Sequence, residues 1–100
     1  MIIVIKVDGT VSNHEDEFPA TPTLEWMKEQ VEGWIERVRV NTGRTQFDMI
    51  VNEEGRIQNL PENLIGSALY MLTALINTGI KTDTPITGNI IILTDEHILV

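Results

Sequence analysis

"NLIGSALYMLTALI", residues 63–76, is a stretch dominated by apolar side chains. Leu64, Ile65, Ala68, Leu69, Met71, Leu72, Leu75 and Ile76 fill it. They leave only a thin polar stripe of Gly66, Ser67, Tyr70, Thr73 and Asn77. The stretch lies between Leu60-Pro61 and Gly79, which punctuate a helix at both ends. Asn63 can cap it or Pro61 can open it. A helix this apolar is expected to be the main core helix.

Working outward, "VNEEGRIQNLPEN" (51–63) leads into that helix. Asn52-Glu53-Glu54-Gly55 fits a three-residue hairpin loop, with Gly55 where a positive φ is needed and Val51 facing Ile57. Before it, "WIERVRV" (34–40) and "FDMIVN" (47–52) alternate as half-buried strands, turned at Asn41-Thr42-Gly43. Trp34, Val38 and Val40 share one face, so Trp34 is expected to be buried; Arg37 and Arg39 share the other. Upstream, Thr21 or Thr23 can cap a helix that places Leu24, Met27 and Val31 inside and stops at Gly33. Glu25, Lys28, Glu29 and Glu32 take its wet side, and Trp26 lies off the apolar stripe.

"IIVIKV" (2–7) and "NIIIL" (89–93) are short, β-branched runs that read as strands buried on both faces. Residues 10–23 and 81–88 read as loops, and "HILV" (97–100) as a short edge strand. The order β-α-β-β-β-α-β predicts one α+β domain over residues 1–100. One mixed sheet is expected, with both helices mainly on one face.

The composition narrows function. The net charge of -8 argues against gripping nucleic acid, because phosphate neutralisation needs Lys and Arg. The absence of Cys removes disulfides, thiolate metal sites and cysteine nucleophiles, and fits a reducing cytoplasm. "MIIVIKVDG" is too short for a signal peptide and carries Lys6 within it. No apolar run reaches the roughly 18 residues that a membrane helix needs. His14 and His97 lack metal-ligand spacing, and no P-loop, G-x-S-x-G or G-x-G-x-x-G is present. No metal, cofactor or catalytic group is expected. Adjacent Glu53 and Glu54 on a solvated turn give no reason for acid–base work.

"TLEWMKEQVEGWIERVRV", "VNEEGRIQNLPENLIGSAL" and "TGNIIIL" resemble the domain of unknown function 3846 family, small proteins of phages, mobile elements and bacteria. The likeness covers residues 23–93, and its most specific blocks are Asn52–Gly55, Leu60-Pro61-x-Asn63 and Gly88-Asn89. The family pattern has two glycines before the second strand, where this chain has Glu32-Gly33. The resemblance implies a phage or mobile-element context and brings no established reaction.

Two functions are therefore expected. The first is a small acidic, non-enzymatic binding protein, cytoplasmic, that binds or inhibits a host protein. The second is a binder of a small nucleotide-like ligand, using the helix start at Asn63 and a tryptophan. Trp26, Asn52, Glu53, Glu54, Asn63 and Tyr70 are the candidate contacts. A homo-oligomer stays open; direct nucleic-acid or membrane binding is not expected.

Overall fold

The two ends of the chain form the centre of the sheet. β1 (Ile2–Ile5) and β5 (Ile90–Leu93) pair antiparallel, with Ile2 opposite Leu93 and Ile5 opposite Ile90. Both are continuous apolar runs, and only burial on both faces suits such runs. The computed structural model describes residues 1–94, so His97 and the edge strand expected at 97–100 lie outside the described residues.

β2 (Val11–Asn13) pairs with the free edge of β1, and β3 (Ile35–Asn41) and β4 (Gln46–Asn52) form the hairpin on the other side. The five strands run β2-β1-β5-β4-β3, and every pairing is antiparallel. The class is α+β, but the expected mixed sheet is not found. Helices α1 (Leu24–Val31) and α2 (Leu64–Thr78) complete the fold.

The strands also fall differently. β2 lies inside the stretch expected to be loop, closed by a tight turn in which Gly9 N–H donates to the Lys6 carbonyl. The turn after Asn52 does not lead into the expected returning strand at Ile57. Residues 53–59 form successive turns, with Gln58 N–H bonded to the Glu54 carbonyl and Asn59 at φ 57°. Gly55 does not have the positive φ expected of it. It is required for a different reason: a Cβ there would lie 2.3 Å from the Thr87 hydroxyl.

The helices lie on opposite faces, not on one. α1 packs Met27 and Val31 against Ile2, Val4, Ile50, Ile91 and Leu93. The alternate residues Ile5, Met49, Val51, Ile90 and Ile92 form the other core, against which Leu69 and Tyr70 of α2 pack. This follows from β1 and β5 themselves, since strands apolar on both faces need cover on both. Each fully buried aliphatic side chain contributes about 1.5–3 kcal/mol relative to exposure.

α2 is turned the opposite way from the expectation of a main core helix. Its fully buried residues are Gly66 and Thr73, both from the polar stripe. Leu64 is 72% exposed, and Ile65, Met71, Leu72 and Ile76 are also exposed. Thr73 Oγ accepts from the Asn41 N–H at 3.0 Å, and Ser67 Oγ accepts from the Ile86 N–H at 2.9 Å. Gly66 brings the helix close to the sheet, where a Cβ would stand 2.9 Å from Ile86 Cγ2.

Candidate functional site

α2 leaves one end of its sheet face uncovered. There Glu36 and Val38 of β3 lie beside Val51 of β4, and Glu36 pairs directly across from Val51. The turn at residues 53–57 forms one wall, and residues 84–87 form another, with Tyr70 reaching in from α2. The result is a cleft of about 570 Å³. The two walls meet where Gly55 touches Thr87, so a glycine is what allows the cleft to close at its base.

The cleft is acidic at its rim and apolar at its floor. Glu36, Glu53 and Glu54 line it against a single cation, Arg56. Val38, Val51, Tyr70, Pro85 and Ile86 supply apolar surface, and Ile57 stands 79% exposed beside them. Such a surface favours a partner group that joins positive charge to an apolar body and opposes a bare phosphate.

Four of the six candidate contacts meet here: Asn52, Glu53, Glu54 and Tyr70. Glu36, Arg56, Thr84 and Thr87 complete the lining without having been singled out. By strand alternation Glu36 shares the face of Val38 and Val40, and a carboxylate on that apolar face was a usable signal. The loop at 84–87 carried none, because its place depends on where α2 returns the chain.

Asn52 and Asn63 have structural roles. Asn52 is buried, and its Nδ2 donates to the Val31 carbonyl at 2.9 Å, the Glu32 carbonyl at 3.2 Å and Gln58 Oε1 at 3.1 Å. Its Oδ1 accepts from the Glu54 N–H. It thereby supplies donors to carbonyls that the end of α1 leaves unpaired. Asn63 is the mirror case at the start of α2. Its Oδ1 accepts from the Gly66 N–H, and its Nδ2 donates to the Ile5 and Gly88 carbonyls at 3.0 and 3.1 Å. Both amide hydrogens and the cap oxygen are engaged inside the protein, so the side chain faces no ligand. A smaller cleft of about 180 Å³ touches Asn63, Lys6 and Asp8. There the Thr10 side chain and N–H lower the pKa of Asp8 by hydrogen bonding to its carboxylate.

Neither tryptophan lines the cleft. Trp26 packs edge-on against Phe18, 4.9 Å between ring centroids, and 5.2 Å from the His14 ring. Trp34, expected to be buried, is 61% exposed. It precedes β3 and so escapes the strand alternation, and the Lys28 ammonium sits 3.8 Å from its ring centroid. That cation–π contact offsets part of its exposure.

Ser12 Oγ lies 2.7 Å from His14 Nε2, and His14 Nδ1 bonds the Glu17 carboxylate. The connectivity is that of a Ser–His–carboxylate relay. Neither cleft is lined by these residues, and Ser12 sits on the edge strand β2. With Trp26 against the imidazole, the array fastens β2 and the following turn to α1. Among the described residues, no group of three or more His, Asp or Glu is placed to hold a metal ion. No helix among them is long and apolar enough to cross a membrane.

The described residues thus form an antiparallel α+β fold with a helix on each face of the sheet and a lateral cleft. The family described as Domain of unknown function (DUF3846) matches residues 1–98, and the chain belongs to it. No curated protein and no solved structure matches the chain.

Proposed function

We propose that this is a non-enzymatic binding protein that grips a protein partner through the cleft. The observation that supports this is the joining of Glu36, Glu53 and Glu54 around an apolar floor. The complementary partner segment carries Lys or Arg beside an apolar side chain. Exposed ion pairs contribute only about 0–1 kcal/mol each, so the floor supplies most of the affinity. The carboxylates select the partner and speed the encounter. For a protein of phage or mobile-element origin acting in the host cytoplasm, the partner is a host protein, inhibited by occupation of a basic surface that otherwise meets nucleic acid.

The test is a titration of the isotope-labelled protein with a short Lys- and Leu-containing peptide, followed by amide chemical shifts. Saturable shifts at residues 53–57 and 84–87 that weaken with salt support the reading. They should vanish in a Glu36→Lys, Glu54→Lys double variant. Shifts scattered over the surface, or none in the millimolar range, remove it.

The cleft volume also favours a second reading, since small-molecule sites run about 300–1,000 Å³. A small ligand there would be neutral or cationic, because three carboxylates oppose a nucleotide phosphate. Saturable shifts with a cationic ligand, unaffected by the peptide, would put this reading first.

A further inference from the structure

We infer that the outward face of α2 is the contact between two copies of this chain. Leu64, Ile65, Met71, Leu72 and Ile76 are exposed along it, and Ile80, just past the helix end, is exposed as well. Ala68 lies among them and is also exposed. The positions recur at three- and four-residue steps, which is the spacing of a helix–helix seam. The inner side of the same helix is already engaged through Gly66, Ser67 and Thr73. The apolar side has no use within the described residues, and contiguous apolar patches of this kind mark interaction sites.

Charge selects the occupant. The chain carries -8 in total, so two copies repel wherever carboxylates face each other. Residues 64–78 contain no Asp, Glu, Lys or Arg. Two copies can therefore meet on α2 without facing carboxylates there, and the face offers nothing by which a charged partner would be chosen. An aliphatic stripe with a small residue at position 68 is self-complementary when two helices cross antiparallel about a two-fold axis.

Size sets the strength. A helix of 15 residues is about 22 Å long, and half of its lateral surface is about 400 Å². A standard interface takes about 800 Å² from each partner. α2 supplies about half of that, with Ile80 and neighbouring loops adding the rim. The dimer is accordingly one that dissociates in the micromolar range. It leaves the cleft open and is independent of what the cleft binds.

Sedimentation of the full chain from about 1 to 500 μM tests this. The expected result is a monomer at the dilute end and a dimer at the concentrated end. Leu72→Glu and, separately, Leu64→Glu should each shift dissociation at least tenfold upward with unchanged circular dichroism. Ile57→Glu, on the cleft side, should leave it unchanged. Because the chain has no Cys, single cysteines report the geometry. Ala68→Cys or Leu72→Cys should cross-link between copies with a short bis-maleimide. Leu64→Cys should not, because antiparallel helices centred near residue 70 hold the two positions about 18 Å apart along the axis. A monomer at every concentration would overturn the inference. So would a dimer indifferent to both glutamates, or cross-linking at position 64 alone.

Discussion

The two helices carry opposite lessons about amphipathic patterning. α1 largely obeys its own: Met27 and Val31, one turn apart, are buried and Glu25 and Glu29 face water, although Leu24, expected inside with them, stands 45% exposed in the first turn. α2 reverses it, with Gly66 and Thr73 against the sheet and Leu64, Met71 and Leu72 outside. The difference lies in what each helix covers. α1 meets a finished apolar surface of β1, β4 and β5 and needs only to fill it. α2 lies beside backbone groups that lack a strand partner, the N–H of Asn41 on β3 and of Ile86 in the loop before β5, and its hydroxyls satisfy them. An unpaired buried N–H costs about 1–3 kcal/mol, comparable with burying an aliphatic side chain. An apolar pattern thus states which side of a helix avoids water; it does not state which neighbour provides the shelter.

Truncating one apolar residue in each helix tests this difference directly. Met27→Ala should lower stability by about 2–5 kcal/mol, the usual cost of emptying a core site. Leu72→Ala, on a residue 38% exposed, should cost about 0.5–1 kcal/mol in the dilute monomer. Urea unfolding at low micromolar concentration measures both. Equal losses would mean that α2 buries its apolar side after all.

Next in size is the helix end that the sequence offered as a ligand site. Asn63→Ala removes the cap on Gly66 N–H and strips the Ile5 and Gly88 carbonyls of their donor. Loss of a cap costs about 0.5–2 kcal/mol, and buried carbonyls left unpaired bring the total to roughly 2–4 kcal/mol. Thermal unfolding checks this. A variant as stable as the parent would return Asn63 to the list of free groups.

Local signals in the chain revealed most of the elements. β1 and β5 were legible as β-branched runs, β3 and β4 as alternation, and both helices as periodic stretches with polar or glycine ends. The choice between Thr21 and Thr23 fell to Thr23, whose Oγ accepts from the Trp26 N–H. What stayed hidden depends on distant partners. Val-Ser-Asn at 11–13 has no strand signature and pairs only because β1 would otherwise be an open edge. Gly55 is a glycine because of Thr87, which lies 32 positions further along the chain. The cleft exists only once α2 has carried residues 84–87 back to the turn after β4, so Glu53, Glu54 and Tyr70 could be singled out one by one but their meeting in one cleft could not be read. Trp34 misled because the alternation was extended one residue beyond the strand that sustains it.

Thr73→Val sharpens the comparison by keeping shape and removing chemistry. Thr73 Oγ accepts from Asn41 N–H at 3.0 Å and donates to the Leu69 carbonyl at 2.9 Å. On an ordinary amphipathic helix, a buried Thr exchanged for Val would be neutral or stabilising. Here the Asn41 N–H loses its partner, and the expected loss is about 1–2 kcal/mol. Hydrogen exchange at the Asn41 amide should accelerate in parallel. A gain in stability would show that the polar stripe is not needed where it lies.

The smallest effect concerns how the two helices end. Both close on a left-handed residue, Gly79 at φ 73° after α2 and Glu32 at φ 65° after α1. At Glu32 the backbone N–H bonds the Lys28 carbonyl, and Gly33 N–H bonds the same carbonyl. This termination favours glycine at the left-handed position. For a side-chain-bearing residue that conformation costs about 1–2 kcal/mol. Against this, glycine loosens the unfolded chain by about 0.4–1 kcal/mol. Glu32→Gly should therefore stabilise the protein by about 0.5–1 kcal/mol, and it also removes one of the negative charges. Glu32→Gln, which removes the charge and keeps the strain, separates the two causes. If Gln stabilises as much as Gly in low salt, charge repulsion is responsible; if only Gly does so, the strain at the end of α1 is real and the Asn52 amide bonded to the Glu32 carbonyl helps to hold it.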